Sequence, residues 1–232
     1  MRIEPEFSGV AIVLRGNFNP TIFQPAWFSK HELITEEAAA GANIVVIHPE
    51  ITTFNVDPDF SFSCDRDRLN IVRAVAPLIL ASDLISRIFG DLLPHTPIGQ
   101  LGINRYVHFS VGSFEERDRV GRMLAPREPW GRWGEELASE DEARAGGLLS
   151  LTMIQQNVSD REAGWVQVKV EPSTRIGRGR TGIFIEVNDH YQLPEPEKAV
   201  NASTMIQILQ ERFDTSLRNS DAIVDQIMSL KS

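Results

Sequence analysis

The stretch IGQLGINRYVHFSV, residues 98–111, carries the cleanest period-two pattern in the chain. Leu101, Ile103, Val107, Phe109 and Val111 share one side, interrupted by Arg105. Gln100, Asn104, Tyr106, His108 and Ser110 share the other. Successive side chains of a strand point to opposite faces, so the pattern predicts a half-buried strand in an antiparallel sheet with one solvated face. Arg105, alone in the apolar row, is expected to pair with a carboxylate inside the fold, because a buried unpaired charge is costly.

The alternation recurs downstream, where strands are expected at 148–158, 164–171 and 182–189. Trp165, Gln167, Lys169 and Glu171 alternate against Val166, Val168 and Val170, and Glu186, Asn188 and His190 against Ile185, Val187 and Asp189. Joined to the first strand, these predict an open face bearing Tyr106, His108, Trp165, Lys169, Asn188 and His190 as partner-binding candidates.

Upstream, residues 10–14 and 43–47 read as strands, followed by ITTFNV and FSFSC with an Asp57-Pro58-Asp59 turn between them. Pro25 suits the first turn of a short helix. Asp65 is read as the N-cap of a long helix through Leu69, Val72, Ala76, Leu80, Leu84 and Ile88, kinked or broken at Pro77. Ser113 with Glu116 three residues on forms a capping box for a helix ending before Pro126. Residues 125–147 are polar and Gly-rich, with an acidic run at 140–142, and are expected to be a partly mobile insert with a short helix over 135–145. A closing helix is expected from about Ser203 to Leu230, with Asn219-Ser220-Asp221 as a point where it could break.

This order predicts a single α+β domain over 1–232 with pseudo-repeats 1–95 and 96–232. Each repeat reads strand, helix, three strands, long helix. It resembles the duplicated β-α-β(n)-α unit of the TATA-binding-protein-like class, a curved antiparallel sheet with its helices on one face. The late segment FIEVNDHYQL and the helix LQERFDTSLRNSDAIVDQIMSL, with the element order, also resemble a sporadically distributed, uncharacterised family of bacterial α+β proteins. That resemblance covers mainly residues 98–230, implies the same architecture, and brings no catalytic residue with it. The opening GNFNPTIFQPAWF differs from that family's usual start.

Composition bounds the chemistry. The chain has 232 residues, 42% hydrophobic and 24% charged, with a formal net charge of −9. That charge opposes non-specific attraction to nucleic acid or anionic membrane, and no stretch approaches the ~20 apolar residues of a membrane span. Glu4 and Glu6 before the first apolar run argue against a secretory signal, so a cytoplasmic protein is expected. Cys64 is the only cysteine, which excludes intrachain disulfides and Cys-rich zinc sites. It is expected to pack as a small hydrophobe. The five histidines show no H-x-x-x-H or H-E-x-x-H spacing, and no metal or cofactor is expected.

IGRGRTGIF, residues 176–184, contains the G-x-G-x-x-G spacing, but a strand follows it where a dinucleotide site needs a helix N-terminus. Kinase, Walker A and nucleophile-elbow sequences are likewise incomplete or missing. The glycines are therefore expected to turn the chain between two strands, with Arg175, Arg178 and Arg180 as a basic spot open to phosphate or nucleic acid. Trp130 and Trp133, in a Pro/Gly loop, have the character of interface hot spots. The expectation is a non-catalytic binding or assembly protein with a protein partner or a second copy. Nucleic-acid or nucleotide-phosphate binding through the Arg/Gly hairpin 175–182 is one alternative, and an enzyme with His108, His190 and Glu186 across the open face is the other.

Overall fold

The structure is a computed structural model that describes residues 3–57, 60–139 and 145–231. Nine strands build it: β1 (Phe7–Gly16), β2 (Asn43–His48), β3 (Ile51–Asp57), β4 (Phe60–Asp65), β5 (Arg68–Arg73), β6 (Ile98–Ser110), β7 (Leu151–Gln155), β8 (Gly164–Pro172) and β9 (Gly182–Gln192). They form one antiparallel sheet in the order β2-β3-β4-β5-β1-β6-β9-β8-β7. Among the described residues the α-helices are α1 (Pro25–Lys30), α2 (Glu36–Ala40), α3 (Ile79–Ser86), α4 (Phe114–Leu124), α5 (Gly131–Glu136) and α6 (Ser203–Met228).

The topology repeats about the central β1–β6 pair. In the N-terminal half β1 is followed by α1 and α2, then by a meander β2 to β5 whose last strand returns beside β1. In the C-terminal half β6 is followed by α4 and α5, then by a meander β7 to β9 whose last strand returns beside β6. Both halves thus read β-α-β(n)-α, with four meander strands in the first and three in the second.

The extra strand corrects the expected helix over 65–88. Asp65 does place its carboxylate on backbone N–H groups, as an N-cap would, but the groups are those of Asp67 and Arg68 at 3.1 and 2.7 Å in a β4–β5 turn. Beyond it Leu69 and Ile71 point to the core, pairing with Leu14 and Ile12, while Asn70 and Val72 point away. The period is two, not 3.6, and Ile71-Val72 favours the pleated form. The helix proper begins at Ile79, beyond Pro77, and continues through wider turns over Arg87–Leu92.

Every helix that reaches the core packs on the same sheet face. α1 places Phe28 between Phe54 of β3 and Phe62 of β4, with ring centroids 5.3 and 5.1 Å away, and all three rings are fully buried. α4 packs Val120 with Val170 and Ile183, and α6 crosses both halves. Ser113 Oγ accepts from the Glu116 N–H at 3.2 Å, the expected cap of α4. α6 runs unbroken through Asn219-Ser220-Asp221, contrary to the expected weak point. Ser220 is buried, and Asp221 accepts from Arg105 Nε at 2.9 Å, so the polar triplet faces a polar partner. Arg105 also donates to the Gly9 carbonyl at 3.0 Å. It lies between the two apolar clusters, the larger under the N-terminal half and the smaller under β8 and β9.

Candidate functional site

The face turned away from the helices is read by the strand registers as rows of side chains running across the sheet. One row holds Asn55, Ser61, Val72, Ala11, Asn104, Asn188, Gln167 and Ile154, each pairing with the next. The neighbouring row places Asn70, Val13, Gly102, His190 and Trp165 in sequence. On the other side Gly9, Tyr106, Glu186, Lys169 and Thr152 align, and beyond them Phe7, His108, Phe184 and Glu171. Tyr106, His108, Trp165, Lys169, Asn188 and His190 therefore all stand on one face, where the alternation of β6, β8 and β9 puts them.

Their surroundings differ. Trp165 and His190 stack across β8 and β9 with ring centroids 3.8 Å apart and planes 17° from parallel. Burial holds the His190 imidazole down to about 4, helped by the charges of Arg161 and Arg15, so it is neutral at pH 7. His108 is held down to about 4 by burial and by Arg175, and its Nδ1 shares a 2.8 Å hydrogen bond with the fully buried Ser173 hydroxyl. Lys169 Nζ lies 3.3 Å from Glu171 and 3.5 Å from Glu186, giving this end of the face a mixed charge. Tyr106 lies over Gly9, where an added Cβ would meet its hydroxyl at 2.2 Å. Glycine is required there because a strand, a ring and a backbone carbonyl converge.

Asn104 donates to the Ala11 carbonyl at 3.1 Å. Asn188 Oδ1, His190 Nε2 and Asn70 Oδ1 are buried polar atoms without a hydrogen-bond partner among the described residues. Asn70, Asn188 and His190 occupy the two adjacent rows just described. Leaving such a group unmet costs about 1–3 kcal/mol, and native structures keep few of them without a reason.

The structure does not bring His108 and His190 together. His190 pairs with Gly102, and His108 stands six residues further along β6, about 20 Å away at the rise of a strand. Catalytic groups must meet directly or through a water, so the joint His108/His190/Glu186 site is set aside. Among the described residues no group of three or more His, Cys, Asp or Glu side chains is placed to hold a metal ion. Cys64 is buried at the core, and burial pushes its thiol up.

The glycine-rich segment does connect β8 to β9. A tight turn spans Gly177–Gly179, with φ of 54°, 53° and 81° at Gly177, Arg178 and Gly179. Two of these left-handed positions are glycine, as the steric cost of a Cβ there demands. The arginines diverge. Arg175 lies over the Phe7 ring at 4.8 Å, at the end of the open face. Arg180 lies over Phe114 of α4 at 5.4 Å, on the helix side, and Arg178 is exposed between them. Arg117 of α4 donates to the Gly179 carbonyl and ties the turn down.

Trp130 and Trp133 form a separate surface in the insert, on the helix side. They are 61% and 56% exposed, with ring centroids 5.4 Å apart. With Leu137, Leu148, Leu149 and Leu151 they line a groove that runs to the start of β7. The insert is anchored by Arg127, which donates to Asp118 of α4 and to the Gly146 carbonyl, both at 2.8 Å. Its helix lies at 131–136, ahead of the expected 135–145, and the acidic run at 140–142 is outside the described residues.

The sequence does not single out Asn70, because the apolar residues around it also fit helical spacing, nor the apolar edge of β7. The signal for Asn70 was the R-L-N-I-V-R alternation. Comparison of the sequence with models of known families and with characterised proteins finds no match. Among the described residues no helix is long and apolar enough to cross a membrane.

Proposed function

We propose that the chain is a non-catalytic binding or assembly protein that engages a macromolecular partner through its open sheet face and the Trp-bearing insert. The observation that carries this reading is the amide–imidazole patch on the open face. There Asn188 Oδ1 and His190 Nε2, two residues apart on β9, lack partners among the described residues, and Asn70 Oδ1, also without one, lies three strands away across Val13 and Gly102. A partner that supplies donors, such as a protein backbone or side-chain amides, satisfies the two asparagine oxygens and recovers the desolvation they cost. Asn188 is half-buried, so a turn of its side chain brings the amide to the surface. The Trp165–His190 stack beside it offers a flat apolar anchor of the type that concentrates binding energy.

Site-specific photocrosslinking in producing cells tests the reading. A crosslinking amino acid at Gln167 on the open face, and separately at Trp133, is expected to capture an adduct of discrete mass. The same group at Glu211, exposed on α6, serves as control. Adducts at Glu211 equal to those at Gln167, or none at Gln167, would dismiss the open-face reading. The nucleic-acid alternative is less well supported, because Arg175 and Arg180 leave the hairpin toward opposite faces of the sheet.

A further inference from the structure

The sheet has two unpaired edges among the described residues, β2 and β7. An exposed edge invites strand addition, and proteins blunt it with bulges, charges or proline. β2 is blunted: its ladder with β3 slips between Ile44 and Val46, which makes Val45 a bulge. β7 is not. Leu151 through Gln155 pair with Val170 through Val166 in unbroken register. The strand contains no charge and no proline, and neither does the whole run AGGLLSLTMIQQNVS over 145–159.

Apolar surface gathers at this regular edge. Leu149 is 80% exposed and Met153 67%, on the helix side beside Trp130 and Trp133, while Ile154, 52% exposed, faces the open side of the same edge. For side chains of this size the helix-side fractions leave roughly 500–600 Å² uncovered. That stands at the upper end of the ~300–600 Å² of the largest apolar patch on a typical monomer, and the backbone of the open edge adds to it toward the ~800 Å² per partner of a stable interface.

We infer that β7 is the interface between two copies of this chain, joined antiparallel about Met153 into one continuous eighteen-stranded sheet. This names the partner of the Trp-bearing insert and rests on the reading of that insert as a docking surface. A two-fold axis at Met153 keeps all five residues of β7 paired, with Met153 opposite itself, Thr152 opposite Ile154 and Leu151 opposite Gln155. No charge faces a like charge, which matters for two bodies each of net charge −9. Trp130, Trp133 and Leu149 then extend over the uncharged segment 155–157 of the other copy. The two-fold also closes the assembly, whereas pairing β7 to β2 of another copy would continue without end.

The experiment is light scattering of the full chain at micromolar to hundred-micromolar concentration, combined with cysteine crosslinking. The expected mass is twice the 26.0 kDa of the chain. Met153→Lys, at an exposed position that leaves the fold intact by circular dichroism, weakens the dimer at least about tenfold by facing two charges across the axis. Ile47→Lys on β2 leaves it unchanged. Because Cys64 is buried and alone, Met153→Cys gives a background-free disulfide between copies under mild oxidation, and Ile47→Cys does not. A monomer at all concentrations, a dimer insensitive to Met153→Lys, or crosslinking through Ile47→Cys instead would each overturn the inference. A Trp133 adduct whose mass is not that of two chains would overturn the dimer and keep the insert as a docking surface, whereas no adduct at Trp133 would dismiss the insert itself, so the two failures are distinguishable.

Discussion

Lowering the pH from 7.5 to 5 is expected to destabilise the protein through the two histidines of the open face. Both are held down by burial, to about 4 against an ordinary 6.5. Between those values the unfolded chain takes up a proton at each site and the folded chain does not, so stability falls as the pH falls through this window. The full shift corresponds to about 2 kcal/mol per histidine at pH 5, and residual hydration at a sheet face reduces that to about 1–2. The pair therefore removes about 2–4 kcal/mol, a large share of the ~5–15 kcal/mol that holds a domain together. Carboxylates do not confuse the reading: Asp160, held low chiefly by its hydrogen bond from Arg161, loses its contribution only as the pH falls through and below 3.8. Urea denaturation at pH 7.5, 6 and 5 and constant ionic strength measures the effect. The His108→Gln/His190→Gln double variant is expected to flatten the dependence between pH 7.5 and 5. A double variant that loses as much stability as the parent, or imidazole resonances that titrate above pH 6 in the folded protein, would refute the reasoning.

Three further outcomes are expected. Asp221→Ala leaves the Arg105 guanidinium unpaired between the two apolar clusters and costs about 2–3 kcal/mol in urea denaturation, less than a fully buried pair because Asp221 is partly exposed; Arg105→Met in the same chain should recover much of the loss. Gly9→Ala drives a methyl to within 2.5 Å of the Arg73 carbonyl as well as onto Tyr106, and a thermal midpoint lowered by at least about 4 °C is expected. Tyr106→Ser does not rescue it, since the carbonyl remains. For the arginine hairpin, fluorescence anisotropy with oligonucleotides at low salt is expected to show no binding that Arg175→Ala/Arg178→Ala/Arg180→Ala removes; strong, salt-sensitive binding lost in that variant would favour the nucleic-acid reading instead.

Much of this architecture was legible because the sheet is antiparallel and covered on one side. Alternation in β6, β8 and β9 reports both the strand and its orientation, which is why Trp165, Asn188 and His190 were placed correctly on one face from spacing alone. The segment 65–73 failed for a definite reason. Its apolar residues also fit helical spacing into Ala76 and Leu80, and an aspartate that caps a turn looks the same in sequence as one that caps a helix. Distance along a strand was the second blind spot: face is a local property, but whether His108 and His190 meet depends on the β6–β9 register, which composition does not encode. The contrast between the two sheet edges was hidden too, since a bulge at Val45 is a property of pairing.

The continuity of α6 has a consequence for how the two halves live together. One helix of 26 residues, about 39 Å long, supplies Met205, Ile206, Leu209 and Phe213 to one core and Val224 and Met228 to the other. Neither half can be opened without stripping a shared beam from its neighbour. The repeat visible in the strand order is thus tied together: two cores lie under the sheet and share one helix, so a single melting transition in calorimetry is the expected outcome.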